Sequence, residues 1–176
     1  IYEARSVEIL KRKKYDILQC NYRNRNGEID IIARKDKVIV FNGEIYNYQE
    51  LREELIAKNH KFTTKTDTEV LVHGYEEWGT KLTEKLRGMY AFAIWNTKEK
   101  ELYIARDKWG IKPLYYYHTD DTFMFASEIK AFLDHPKFKK ELNKDILSAY
   151  LCFNSTPTEE TFFKGVYRLE PGHQIL

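Results

Sequence analysis

Asn42-Gly43-Glu44-Ile45-Tyr46-Asn47 is the stretch whose reading decides this chain. An apolar run (Val38, Ile39, Val40, Phe41) precedes it, and a helical stripe of Tyr48, Leu51 and Leu55 follows it. Asn and Gly favour turns, so the six residues read as a loop between a strand and a helix. An Asn amide beside a Gly backbone N–H can aim two donors at one point, as an oxyanion hole requires. Asn42 and Gly43 are therefore the candidate oxyanion donors. Glu44 and Asp67 are candidates for an ammonium ligand, since an amine in a pocket needs carboxylate partners. A hydrogen-bonded turn plus an Asp helix cap accounts for the same residues without any ligand.

Downstream, Thr66 or Asp67 caps a second helix bearing Leu71, Gly74, Tyr75 and Trp78, and Gly79 closes it. A short helix is expected over 81–86. Residues 89–95 alternate large and small (Tyr90, Phe92 and Ile94 against Ala91 and Ala93), the pattern of a strand buried on both faces. Strands are expected over 102–106, 114–118 and 122–126, helices over 128–133 and 144–151, and short strands over 166–169 and 174–176. Cys152 falls in the last helix and reads as a core thiol.

Upstream, Ile1, Ala4, Val7 and Leu10 recur every three residues between charged ones, which predicts an amphipathic helix. Leu18, Cys20 and Tyr22 alternate with polar residues as in a strand. Asn26-Gly27 then supplies a hairpin turn, residues 28–34 a second strand, 35–37 a turn and 38–41 a third strand. The whole is an α+β pattern rather than a βαβ series.

Composition narrows the classes. With 176 residues, 43% hydrophobic and 15% aromatic, the chain can build a real core and is not a disordered sequence. No apolar run reaches the ~18 residues of a membrane span, so no membrane partner is expected. Cys20 and Cys152 are too few for a disulfide framework and fit a reducing cytoplasm. Residues 1–41 hold 10 Lys/Arg against 6 Asp/Glu, and the rest holds 19 against 21. The basic excess includes Lys11, Arg12, Lys13 and Lys14, which suit a helix C-terminus, so nucleic acid is not the expected partner. Ile1–Lys14 is too charged for a signal peptide, and the missing Met points to a fragment or a processed chain.

From Phe41 onward the motifs accumulate. Asn42–Asn47 is joined by Thr66-Asp67-Thr68-Glu69, by Gly88-Met89-Tyr90-Ala91-Phe92-Ala93 and by Ala105-Arg106-Asp107. Gly110-Ile111-Lys112-Pro113-Leu114-Tyr115-Tyr116, Ser127-Glu128-Ile129-Lys130 and Leu169-Glu170-Pro171-Gly172-His173 complete the series. Together they resemble the class II, N-terminal-nucleophile glutamine amidotransferase domain of glutamine-hydrolysing asparagine synthetases. The resemblance implies an αββα sandwich of two antiparallel sheets between helix layers. It implies hydrolysis of glutamine to glutamate and ammonia by an N-terminal Cys whose α-amine is the base. Ammonia would pass to an ATP- and Mg-using synthetase domain that amidates aspartate. It assigns oxyanion stabilisation to Asn42 and Gly43, and glutamine binding to Asn42, Gly43, Glu44 and Asp67. Arg106, Asp107, Gly110 and Pro113 are expected to be scaffold, an ion pair and a rigid turn.

The family's Cys-Gly-Ile start and Arg-Gly-Pro motif do not occur before Asn42. Residues 1–41 resemble instead the start of the UPF0102 (YraN-type) family, related to restriction-endonuclease-like nucleases. That similarity rests on Glu3-Ala4, Asn21-Tyr22-Arg23 and Gly27-Glu28-Ile29-Asp30-Ile31-Ile32-Ala33. It offers Glu3 and Asp30 as the first two carboxylates of a Mg²⁺ site. The Glu-x-Lys that should follow is missing, since Tyr46 stands two after Glu44, so no metal is expected.

The expectation is thus an incomplete amidotransferase sandwich (42–176, ending before the synthetase domain) preceded by an α-β-β-β nuclease-like segment (1–41). Phe41/Asn42 is the junction of a fusion, an assembly error or a deliberate chimera. With strands missing, marginal stability or exposed sheet edges should follow. The chain is expected to bind no cofactor and to be inactive alone as a glutaminase. The alternatives are a nucleic-acid-binding or nuclease-like module in 1–41, and a pseudo-amidotransferase that binds glutamine without cutting it.

Overall fold

The computed structural model describes the backbone of residues 16–24, 27–34 and 37–176, and side chains from Ile39 onward. The expected first helix, Glu3, Lys11–Lys14 and the turn residues 25–26 and 35–36 lie outside the described residues, as do the side chains of Cys20 and Asp30.

Six strands form one antiparallel sheet. β1 (Asp16–Asn24) and β2 (Gly27–Arg34) make a hairpin that closes at Asn24 and Gly27. β3 (Lys37–Ile45) follows, then β4 (Gly88–Asn96), β5 (Glu101–Arg106) and β9 (Gln174–Ile175). A second sheet sets β6 (Tyr115–Thr119) between β7 (Thr122–Ala126) and β8 (Val166–Arg168). α1 (Tyr48–Ala57), α2 (Asp67–Trp78) and the short α3 (Leu82–Lys85) lie between β3 and β4 in the chain.

Strand alternation sorts β4 onto two cores. Tyr90, Phe92 and Ile94 join Ile39, Phe41 and Ile45 of β3 under Leu51 and Leu55 of α1 and Val70, Leu71 and Tyr75 of α2. Ala91 and Ala93 face the other way, with Ile104, Leu114 and Leu169, against Tyr116 and Phe125 of the second sheet. The small side chains let the two sheets approach. The outer face of the second sheet is covered in turn by Phe132, Phe138 and Phe163 around Tyr117 and Val166. The layers run helices, sheet, sheet, irregular cover. The expected α+β sandwich of two antiparallel sheets is present, and the strands expected at 18–41 continue its first sheet.

Four local expectations are corrected. Asn42–Ile45 is not a loop but the second half of β3, paired Asn42↔Ala91, Gly43↔Tyr90, Glu44↔Met89 and Ile45↔Gly88. The polar letters hid a strand that two glycines permit. A Cβ on Gly43 would lie 2.1 Å from the Met89 carbonyl oxygen, and one on Gly88 would lie 2.2 Å from that of Glu44. The helix expected at 128–133 is a 3₁₀ turn, Ile129–Phe132, and that at 144–151 is α4, Leu147–Phe153. Cys152 lies on α4 but is exposed, because this short helix buries none of its residues. Thr66 occupies the N-cap position of α2, yet its side chain accepts no capping hydrogen bond, and Gly79 ends the helix at φ 57° as expected.

Among the described residues, no helix is long and apolar enough to cross a membrane.

Candidate functional site

β2 and β3 pair only from Arg34↔Val38 to Ile31↔Phe41, whereas β3 and β4 pair along the whole of β3. The edge of β3 at Asn42–Ile45 that faces away from β4 is therefore not laddered to β2. Side chains meet it instead. The Ile45 N–H donates to Asp67 Oδ2 at 3.1 Å, so the first residue of α2 is fastened to the end of β3. Asn42 Nδ2 donates to Ser127 Oγ, just beyond β7, at 3.3 Å. Asn42 is half-buried and its amide is thus oriented by a hydroxyl from the second sheet. Glu44 is exposed.

Burial raises the Asp67 carboxyl above its ordinary range, the N–H groups of Ile45 and Thr68 oppose this, and the charge of Glu44 adds to the rise. Glu44 and Asp67 therefore share one electrostatic neighbourhood. A half-buried carboxylate beside a second one is stabilised by a cation placed between them.

The four residues selected from the sequence, Asn42, Gly43, Glu44 and Asp67, fall together at this strand edge. Their motif neighbours do other work. Asn47 is buried, donates to the Lys85 carbonyl at 2.9 Å and accepts from the Arg87 N–H at 2.9 Å, and so ties the start of α1 to the entry of β4. Glu69 accepts from the N–H and hydroxyl of Thr63 at 2.7 and 2.8 Å and from those of Thr64 at 2.5 Å each, which holds the segment leading into α2. Arg106 is buried and donates to the carbonyls of Lys112, Gly110 and Leu169. Asp107, fully buried, accepts from the N–H groups of Trp109, Ile111, Lys112 and Tyr90. The rigid turn expected here is present, and its charges are spent largely on backbone groups.

Sequence reasoning assigned no role to Ser127 or to the histidines of the α1–α2 region. Ser127 follows a strand with no spacing signal linking it to Asn42, 85 positions away. His60 and His73 had a faint signal in the i,i+4 spacing of Glu69 and His73.

Burial alone would raise the Glu69 carboxyl, but the His73 imidazole 3.8 Å away and hydrogen bonds from Thr64 and Thr63 outweigh it and bring it down to about 2. Burial likewise opposes the charge on His73, and Glu69 and Glu76 overcome it and raise the imidazole to about 9. The Glu69 contribution to stability is complete above its ordinary value of 4.5 and disappears as pH falls toward about 2. The His73 contribution is complete below 6.5 and disappears as pH rises through about 9. Urea midpoints should therefore be highest between pH 4.5 and 6.5 and fall on both sides. Glu69→Gln should lower the plateau by about 2 kcal/mol and flatten the acid limb. An unchanged acid limb would contradict the assignment.

Comparison with known proteins gives consistent matches. The family described as "Glutamine amidotransferase domain" matches residues 28–176. Asparagine synthetase [glutamine-hydrolyzing] 1 of Bacillus subtilis is 48% identical over 137 residues, covering 78% of this chain and 22% of the relative. Asparagine synthetase [glutamine-hydrolyzing] 3 of the same organism is 41% identical over 138 residues, with the same coverage of 78% and 22%. This chain thus spans about a fifth of the length of these relatives. Among solved structures, a glutamine phosphoribosylpyrophosphate amidotransferase from B. subtilis complexed with ADP and GMP has a TM-score of 0.48 and 29% identity, over 62% of this chain and 24% of that one.

Proposed function

We infer, from the premise that this chain belongs to the glutamine amidotransferase domain family, that it is the glutamine-holding part of a glutamine-hydrolysing asparagine synthetase. The carrying observation is the convergence of Asp67 and Glu44 on the strand edge that Asn42 and Gly43 complete. Glutamine's α-ammonium sits between the two carboxylates, where its charge offsets their mutual repulsion. Its side-chain carboxamide lies along the Asn42–Gly43 edge. N–H groups two residues apart leave a strand on the same side, so the Gly43 N–H shares the outward edge of the Ile45 N–H. With the Asn42 amide held by Ser127, two donors meet the carboxamide oxygen where negative charge develops during hydrolysis.

The attacking group in this chemistry is a Cys thiolate whose own α-amine takes the proton. Of the two cysteines, Cys20 belongs to β1 and Cys152 is exposed on α4, and both are internal residues without an α-amine of their own. This polypeptide by itself holds glutamine and releases no ammonia. Ammonia made in the intact enzyme serves the amidation of aspartate by an ATP-using segment, in a cytoplasmic setting.

The test is calorimetric titration of the 176-residue polypeptide with glutamine, with ammonia assayed in the same cell. Binding heat without ammonia is expected, and affinity should fall as pH drops through the raised titration of Asp67, because the protonated acid no longer attracts the ammonium. Steady ammonia release, or no heat at any glutamine concentration, would refute the reading.

A further inference from the structure

We propose that His60, His73 and Glu76 form a divalent-metal site of the zinc type, separate from the glutamine edge and outside its chemistry. His73 and Glu76 lie one turn apart on α2, and His60 comes from the segment just after α1. Three donor atoms converge. His60 Nδ1 and His73 Nδ1 are 3.4 Å apart, His73 Nδ1 and Glu76 Oε2 are 2.9 Å apart, and His60 Nδ1 and Glu76 Oε2 are 3.8 Å apart. Tetrahedral zinc with bonds of ~2.0–2.1 Å places its ligand atoms ~3.4 Å from one another, so the triangle has the size of one face of such a site. Glu76 is exposed, which leaves the fourth position open to water.

One outer nitrogen has a carboxylate behind it: His60 Nε2 faces Glu77 Oε2 at 3.1 Å, whereas His73 Nε2 is buried 3.8 Å from Glu69 Oε1 with no hydrogen-bond partner among the described residues. A carboxylate behind an imidazole keeps the proton on that side and turns the opposite lone pair toward a metal. His60 Nδ1 and His73 Nδ1 face each other at 3.4 Å, and a metal ion held by both takes the place of the proton between them. The rings are also fixed. Phe62 meets His73 edge-on at 4.7 Å, and Arg52 lies 5.0 Å over Phe62. Lys58 is paired with Glu77 at 2.7 Å and holds that carboxylate in place. Two imidazoles and a carboxylate match the donor set of zinc better than that of Mg²⁺ or Ca²⁺, which prefer all-oxygen sites.

The test uses the full 176-residue chain stripped of metal by a chelator and titrated with Zn²⁺ against a chromophoric competitor. Cobalt(II) in place of zinc reports the geometry through its visible absorption. One equivalent is expected to bind, with the intense bands of tetrahedral cobalt. His60→Gln and Glu76→Gln should each weaken binding at least about tenfold, and Glu77→Gln, acting through His60, by about tenfold. Glu76 is exposed, so its variant should keep the wild-type circular dichroism and serves if His60→Gln does not fold. No binding, octahedral cobalt bands, affinity unchanged in Glu76→Gln, or loss of binding in Cys152→Ser would each overturn the site.

Discussion

Replacing Gly43 by alanine should destabilise the chain by about 3–5 kcal/mol, a large share of the stability of a domain this size. Two costs combine. Gly43 has φ 146°, a conformation that side-chain-bearing residues rarely adopt, at about 1–3 kcal/mol. Its new methyl would also press on backbone, 2.1 Å from the Met89 oxygen and 2.7 Å from the Tyr90 Cα, where no rotamer change can relieve it. Gly79→Ala is the internal control. Its φ of 57° is strained for alanine, but nothing lies within 4 Å, so about 1–2 kcal/mol is expected. Urea unfolding monitored by tryptophan fluorescence measures both. Equal effects of the two variants would mean that β3 and β4 can separate without penalty, and the strand edge would lose its structural basis.

Asp107→Ala is expected to cost about 4 kcal/mol, because four backbone N–H groups lose a charged acceptor in a site that is fully buried. Asp107→Asn keeps one carbonyl oxygen and should cost about half as much, since the groups now on Oδ2, the N–H of Lys112 and Tyr90, would face an amide NH₂. The damage should spread along the chain, because Tyr90 belongs to β4 while Gly172 also donates to the Asp107 carbonyl at 2.8 Å. Protease cutting in 108–113 and loss of the β5–β9 pairing, read by hydrogen exchange, would accompany the change. Wild-type stability in Asp107→Ala would remove Asp107 from the scaffold role.

These two residues show what a sequence can carry. Alternation in 89–95 was enough to place β4 between two cores, since Tyr90, Phe92 and Ile94 on one side and Ala91 and Ala93 on the other differ in bulk. The helices bearing Leu51 and Leu55, and Leu71 and Tyr75, were equally legible from their spacing. Asn42–Ile45 was not, because its strand character comes from the facing strand: polar side chains and a glycine pair with Gly88–Ala91 across a close backbone approach. Within the site, Glu44 and Asp67 could be chosen from charge and position. The contact of Asn42 with Ser127 and the meeting of His60 with His73 depend on tertiary packing alone. Cys152 was misplaced for a related reason: a helix of seven residues at the surface shows apolar letters without burying them.

The central claim is that Asp67 recognises the α-ammonium of glutamine at the edge of β3. A two-ligand, two-protein titration tests it most directly, pairing glutamine with glutaramic acid, which has the same carboxamide and no amine. Wild-type chain should prefer glutamine by about tenfold or more, ~1.4 kcal/mol, and Asp67→Asn should remove most of that preference, the rest being due to Glu44, while leaving glutaramic acid binding unchanged. A preference undiminished in Asp67→Asn would contradict the account.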